Sequence, residues 1–436
     1  MQKKVLIIGE TFHMNSGGGI TLCNLFRGWS PENLAVATSP KSILKSDFNF
    51  CSNYYRLGAD EDNSCILFKF IEKASSGVVS SLNLDRIKNS TSKSYIRINF
   101  KAFLVSTFIF LSEKLGLNFW CDRYKLSNKF ISWVNDFNPD YIYTQLSTYQ
   151  LILLSKELIN INKCKLVIHI MDDWPRNITS NCWLGKNYWD KVIDRSFRDL
   201  VECSYKFLTI SHGMKVEYLE RYGKTSDVFH NPVDTNLWQE LSHTASMLEP
   251  KTKSFKILYS GRIGKANKNC IFLMIQAIDF IRNKLERDIE LYVYSLDHDL
   301  LSLKGRNYLH LNKPIDHLAI PGLLRSVDLL YLPLDFDQNS IQFAKFSMPT
   351  KASEYMISGT PILLFAPSET YLYQHALINN WAKIVGDYSL EKLIEAIVEI
   401  QDNLEIRNNI VIHAKDFALK NFDAIIIREE FKKIFD

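Results

Sequence analysis

The chain opens its first half and reopens its second with the same grammar. Val5–Ile8 is a short apolar run ending at Gly9, and Phe255–Ser260 is a largely apolar run ending at Gly261. Runs of this kind read as parallel strands buried between helices. After Gly9 a loop carries Gly17-Gly18-Gly19, and a helix is predicted from Ile20 to about Trp29. After Gly261 a very apolar helix is predicted over roughly Asn269 to Leu285. Strand, glycine loop and helix in this order begin a doubly wound α/β domain. Two such openings in 436 residues predict two domains in tandem, with ligand chemistry beyond the carboxyl ends of the strands.

Further strands are predicted at Leu34–Thr38, Asp140–Thr144, Leu166–Met171 and Phe207–Ser211 in the first half. Those of the second half are Glu290–Ser295, Asp328–Leu332, Pro361–Phe365 and Ala382–Val385. Between Ser64 and Val134 the pattern is mostly helical, a helical insertion around 60–135. Within it, Ala102–Ser112 has no charge between Lys101 and Glu113. That run fits a core helix first and a membrane-surface contact second, with Arg97 and Lys101 beside it. The polar, turn-rich Gln239–Lys253 places the domain boundary, so the expected domains are 1–238 and 239–412. The stretch 413–436 is expected to be one amphipathic C-terminal helix.

Lys plus Arg number 52 against 48 Asp plus Glu, a net charge of +4. No basic excess of the kind a nucleic-acid partner requires is present. The eight cysteines are scattered without a Cys-x-x-Cys pair, which speaks against a zinc knuckle and a disulfide scaffold. The N-terminal apolar run is too short for a signal peptide, and no run reaches the ~18 residues of a spanning helix. A cytoplasmic protein, with an option of peripheral contact at the inner membrane face, is the expectation.

Three segments could carry chemistry. Gly17, Gly18 and Gly19 can let a ligand approach the backbone and offer amides to an anion, although a flexible turn reads equally well. Arg262, between Gly261 and Gly264 and just past a strand, can grip phosphate oxygens with its planar fork, and Lys268 can add a point charge. Lys265 reads as a surface lysine. In Phe346–Pro361, Ser347 reads as an N-cap, Pro349 suits a first turn and Gly359 a helix end. The amides of that helix start, including those of Thr350 and Lys351, would face a diphosphate, with Glu354 one turn in to hold ribose hydroxyls. The alternative is an ordinary capped helix with an exposed Lys351–Glu354 pair.

Arg262 with its downstream lysine, the strand ending in Pro333, and Ser-Met-Pro-Thr-Lys-Ala-Ser-Glu-Tyr-Met-Ile-Ser-Gly-Thr-Pro-Ile together resemble the nucleotide-sugar half of family 4 glycosyltransferases. Leu208–Ser211, His230-Asn231-Pro232-Val233-Asp234 and the N-terminal glycine loop are similar to that family's first domain. The resemblance implies the GT-B architecture: two Rossmann-like domains with a cleft between them. It implies transfer of a sugar, with retention, from a nucleoside-diphosphate donor to a glycan or lipid-linked acceptor, in cell-surface polysaccharide synthesis. Arg262 and Lys268 would bind the diphosphate, Glu354 the ribose, and Gly18 and Gly19 would approach the phosphates. No cofactor and no metal are expected where fixed charges and helix amides do the work. A nucleotide-sugar epimerase of the same fold and a non-catalytic glycan- or partner-binding protein are the alternatives.

Two positions depart from the family pattern. Phe346 stands where many members carry a Glu, and Met171-Asp172-Asp173-Trp174 stands where many carry His-Asp. Asp172 or Asp173 then becomes the acceptor-side group, or a loop cap. Asp335-Phe336-Asp337 looks like a metal motif in the wrong context and reads as an acidic loop. His13 reads as a ligand contact or a solvated loop residue, and His169 as a core histidine. In the family the C-terminal helix returns to the first domain, and Phe417, Phe422, Phe431 and Phe435 are available to pack there.

Overall fold

A computed structural model describes residues 2–64, 74–81, 100–241, 254–264, 266–296 and 305–436. Cys65, Arg97, Lys265, part of the helical insertion and residues 242–253 of the boundary segment lie outside the described residues. The chain divides into two compact units, one of residues 1–229 with 428–436 and one of residues 230–427.

The first unit is built on β1 (Val5–Gly9), β2 (Leu34–Thr38), β3 (Asn53–Arg56), β4 (Gly77–Val79), β5 (Tyr141–Gln145), β6 (Lys165–Ile170), β7 (Lys206–Thr209) and β8 (Asp227–Val228). Their order is β4-β3-β2-β1-β5-β6-β7-β8, parallel throughout except for the β3–β4 pair. Val5, Leu6, Ile7 and Ile8 are fully buried, as a central strand covered on both faces must be. The order reverses between β1 and β5, the position at which open α/β sheets place ligands.

The second unit contains β9 (Phe255–Ser260), β10 (Ile289–Tyr294), β11 (Leu309–Asn312), β12 (Leu329–Pro333), β13 (Ile362–Phe365) and β14 (Lys383–Val385). All are parallel in the order β11-β10-β9-β12-β13-β14, with the reversal between β9 and β12. The apolar helix Lys268–Lys284 buries Ile271, Met274, Ile278 and Ile281 on one face of this sheet, against Ile257 and Leu291. The helix Thr350–Ile357 buries Ala352 and Met356 on the other, with Leu258 and Leu330.

Between Ser64 and Val134 the described residues hold the helices Phe100–Lys114 and Leu117–Cys121 and the start of Asn128–Phe137, together with β4. Three expectations are corrected. Ala102–Ser112 does lie in a helix, Phe100–Lys114, but Ile109, Phe110 and Leu111 are exposed, so this end is no core helix. The glycines 17–19 are not a loop before the helix; they form its first turn. The tail is not one helix from 413 either. The helix Leu404–Asn421 ends at Phe422 and a second runs Ala424–Lys432. The break is tertiary: Val233 N–H donates to Phe422 O (2.8 Å), Ala424 N–H to Val233 O (2.9 Å) and Thr235 Oγ1 to Asp423 Oδ2 (2.7 Å). The four phenylalanines accordingly separate. Phe431 and Phe435 pack on Phe26 of the first unit, whereas Phe417 and Phe422 stay in the second, against His375 and His230.

Candidate active site

In the second unit, the end of β9 is shaped by its glycine. Gly261 has φ +139°, a region costly for other residues, and any Cβ there would strike the Lys351 ammonium. The following loop is pinned through its backbone. Tyr259 Oη donates to Arg262 O (2.5 Å), Asn267 Nδ2 to Arg262 O (3.0 Å) and to Tyr259 Oη (2.7 Å), and Gly264 N–H to Asn267 Oδ1 (2.9 Å). The Arg262 backbone is thus fixed while its side chain is exposed. Among the described residues its guanidinium forms no ion pair. Lys268 begins the next helix, half-buried, with Nζ 6.0 Å from the Phe272 ring centre.

The Thr350–Ile357 helix is tied to the same strand end. Lys351 Nζ donates to Ser260 O (2.8 Å) and lies 4.3 Å from the Tyr259 ring centre, and Ser260 N–H donates to Tyr355 Oη (3.2 Å). Its N-cap is Pro349, without a side-chain cap, and Thr350 is the first helical residue. Ser347 therefore does not cap it; its buried Oγ has no hydrogen-bond partner among the described residues. The segment before β9 supports the helix from below. Asn231 Nδ2 donates to Thr350 O (3.3 Å), and Ser353 Oγ donates to Asn231 O (3.0 Å). The expected alternative of an exposed Lys351–Glu354 pair fails. The Glu354 side chain is only 13% exposed, with His317 Nε2 at 3.9 Å from Oε1. Burial pushes the Glu354 carboxyl up to about 7 and the Lys351 ammonium down to about 8, each partly offset by the charge of the other.

The start of the Lys268–Lys284 helix is already occupied. Asp335, 1% exposed, accepts from Asn269 N–H (3.0 Å) and Cys270 N–H (2.8 Å). Asp337 caps its own helix through Asn339 and Ser340 N–H. Both carboxylates of the Asp-x-Asp segment are thus committed to helix starts. Among the described residues no group of three or more His, Cys, Asp or Glu could hold a metal ion.

In the first unit, the equivalent turn is filled by the chain itself. A Cβ on Gly18 would lie 2.8 Å from Gln145 Oε1 and 2.9 Å from Glu10 Oε2, and one on Gly19 2.5 Å from His13 O. Gln145 Nε2 donates to Gly18 O (3.1 Å), and Ser16 Oγ accepts from Gly19 N–H (3.4 Å). His13 is buried. Its Nδ1 accepts from Asn15 N–H (3.0 Å), which leaves the Nε2 proton for Glu10 Oε1 at 3.2 Å. His13 is therefore no solvated loop residue. His169 is a core histidine, with Tyr143 Oη on Nδ1 (2.8 Å) and Phe229 O on Nε2 (3.1 Å).

Past β6 two adjacent carboxylates differ sharply. Asp173, 1% exposed, is gripped in two-pronged fashion by Arg221 (2.8 and 2.7 Å) and accepts from Tyr218 Oη (2.8 Å). Among the described residues no cation pairs with Asp172. Burial first, then the Asp173 charge, raise it to about 6 against a Trp174 N–H that lowers it. The buried Trp174 Nε1, two residues on, has no hydrogen-bond partner among the described residues. Sequence reasoning missed Tyr259, Asn267, Tyr355 and His317. Asn267, just before an apolar run, carries a helix-start signal, but no local pattern sets the two tyrosines apart.

No family model and no curated protein sequence matches the chain. Solved structures do resemble it. HepE of Anabaena in complex with UDP and glucose is 13% identical, with 99% of this chain and 98% of that chain covered and a TM-score of 0.62. Sucrose-phosphate synthase of Thermosynechococcus elongatus is 10% identical, with coverage of 100% and 98% and a TM-score of 0.62. A structure described as a UDP-N-acetylglucosamine 2-epimerase of Listeria monocytogenes is 14% identical, with coverage of 99% and 98% and a TM-score of 0.50. The chain has the α/β fold of the GT-B glycosyltransferases, with two parallel-sheet units.

Proposed function

We propose that this chain is a glycosyltransferase that moves a sugar from a nucleoside-diphosphate donor to an acceptor, with retention as its resemblance implies. The observation that carries the reading is the end of β9. A backbone-pinned loop holds an exposed Arg262, without an ion pair among the described residues, two residues past the Ser260 carbonyl that Lys351 binds, with Glu354 one turn further along the Lys351 helix, at the strand reversal of the second sheet. Fixed cations there would stabilise the charge that grows on a leaving diphosphate, and a fixed site does so without reorganising. Arg262 and Lys268 take the diphosphate, Glu354 the ribose hydroxyls, and Lys351 holds the helix to the strand. Asp172, rather than Asp173, is the acceptor-side group, because Asp173 is already consumed by Arg221.

UDP is the first donor nucleotide to test, since HepE is described with UDP and glucose. The acceptor class is a glycan or its lipid carrier, in cell-surface polysaccharide synthesis, and the chemistry is metal-independent. Thermal shift against nucleoside diphosphates and their sugars tests donor binding; a ligand at 100 times its Kd adds about 2.7 kcal/mol. Product analysis then separates transfer from epimerisation of the donor, the activity named for the Listeria structure. Turnover that persists in EDTA supports the metal-free reading, and restoration by Mn²⁺ alone would overturn it.

A further inference from the structure

We propose that Tyr259, with Asn267 beside it, is the positioning residue of Arg262: its hydroxyl holds the arginine's own carbonyl and so aims the guanidinium at the donor diphosphate. The inference rests on the donor site proposed above. Tyr259 lies one residue before the end of β9 and is fully buried, in the core cluster that also holds Ile263 and Met274. A phenylalanine would fill that place as well, so the hydroxyl is the part to be explained. It donates to Arg262 O (2.5 Å) and accepts from Asn267 Nδ2 (2.7 Å). Asn267 Nδ2 also donates to Arg262 O (3.0 Å), and Asn267 Oδ1 accepts from Gly264 N–H (2.9 Å). Gly264, Asn267, Tyr259 and Arg262 are thus joined in one chain of hydrogen bonds, in which each bond polarises the next.

What the chain of bonds holds is one peptide plane. The Arg262 carbonyl and the Ile263 N–H share it, so two donors on the oxygen fix ψ of Arg262. The flanks are fixed as well. Gly261 N–H donates to Tyr294 O (2.9 Å), and Ile263 is buried. Further along the loop, Asp335 N–H donates to Ala266 O (2.8 Å). Behind the phenol stands the Lys351 ammonium, 4.3 Å from its ring centre and donating to Ser260 O (2.8 Å). The ring is therefore held by its face and by its hydroxyl. The Arg262 side chain leaves this clamp into solvent. With the backbone set beforehand, an arginine that closes on phosphate oxygens loses only side-chain freedom. Misplacement of a charge by ~1 Å can cost ~10²-fold in rate. A hydroxyl that aims Arg262 differs from one that merely stabilises the loop in one respect: once the Arg262 side chain is gone, it has nothing left to aim.

The test is a double-variant cycle of Tyr259→Phe and Arg262→Ala on the full chain. It is read by calorimetric titration with UDP and with GDP, and by release of UDP from UDP-glucose. Tyr259→Phe should weaken nucleotide binding about three- to tenfold and lower kcat about 10- to 100-fold. In the Arg262→Ala background the same change should move neither by more than about twofold. The thermal midpoint, by contrast, should fall by the same amount in both backgrounds. Where UDP-glucose is not turned over, the binding cycle decides. Asn267→Ala removes the second donor to the same carbonyl and should repeat the pattern. It decides alone if circular dichroism shows Tyr259→Phe to be unfolded. Equal fold-losses with and without the Arg262 side chain would make Tyr259 a structural residue and overturn the proposal, as would a Tyr259→Phe chain of wild-type affinity and rate. A wild-type chain that binds neither nucleotide, or an Arg262→Ala chain that binds as the wild type does, would overturn the donor site itself and the proposal with it.

Discussion

Strands β1 and β9 each lie beside the reversal of their sheet, and each runs into a glycine with positive φ and then towards a helix. Beyond that they differ. At β9 the loop is held by its backbone and leaves a guanidinium exposed, with Lys351 closing the turn from behind. At β1 the chain closes the turn on itself: Glu10, His13 and Gln145 fill the space beside Gly18 and Gly19. The same topological position thus carries a poised cation in one unit and a satisfied polar knot in the other. The cluster past β6 repeats the lesson inside the first unit, since Asp173 is held by a cation and Asp172 by the Trp174 N–H alone among the described residues.

The largest effect is expected where a satisfied group is broken. Asp173→Asn removes the charge that two Arg221 nitrogens grip and leaves Glu217 on Arg221 Nε (2.6 Å), and breaking a buried pair typically costs up to ~3–5 kcal/mol. Chemical denaturation should show this loss as a lower midpoint. An unchanged midpoint would mean that Asp173, not Asp172, is the side chain free for chemistry.

Next comes the poised cation. Arg262→Ala should cost about 10²–10³ in kcat, or ~2.7–4 kcal/mol, with the thermal midpoint little changed. Arg262→Lys should recover part of it, because an ammonium lacks the two-pronged fork. A destabilised but catalytically normal Arg262→Ala would erase the contrast between the two turns.

The two turns can also be compared through their glycines. Gly19→Ala would press a Cβ to 2.5 Å from the His13 carbonyl, and overpacking of that kind costs ~1–3 kcal/mol. A Cβ on Gly264, in the Arg262 loop, meets nothing within 4 Å, so Gly264→Ala should stay within about 0.5 kcal/mol. Equal midpoints for both variants would show that the β1 turn is not packed as described.

Much of this architecture was readable before the fold because parallel central strands are apolar on both faces. Val5–Ile8 and Phe255–Ser260 stand out for that reason, and so do the runs at β12 and β13. β3 and β4 do not: Asn53-Tyr54-Tyr55-Arg56 has polar ends, and Gly77–Val79 has three residues paired antiparallel at the sheet edge. In the site, Arg262, Lys351 and Glu354 were visible through spacing and glycine chemistry. Their surroundings were not, because the groups that decide them are remote in the chain. Asp335 reaches a helix start 65 residues away, and Arg221 reaches back 48 residues to Asp173. Position in sequence could therefore name Asp172 and Asp173 together but could not tell them apart.

Glu354 offers the finest division between a poised and a satisfied group. Its folded carboxyl sits at about 7, above an unfolded value of ~4.3, because burial disfavours the charge. The stability that comes from keeping it protonated is full below the unfolded value. It is lost as pH rises through about 7. Glu354→Gln imitates the protonated form at every pH. The variant should match the wild type in thermal midpoint near pH 4 and exceed it near pH 8. Donor binding should run the opposite way, since ribose hydroxyls donate best to an ionised carboxylate. Wild-type affinity for the donor should rise through about pH 7, and the Gln variant should lose that rise. At pH 8 its KM for the donor should be about tenfold higher, equivalent to ~1.4 kcal/mol, with kcat nearly unchanged. If kcat collapsed at saturating donor, Glu354 would act at the reacting bond. A variant with the wild-type pH dependence of both midpoint and KM would show the carboxylate to be as fully satisfied as Asp173.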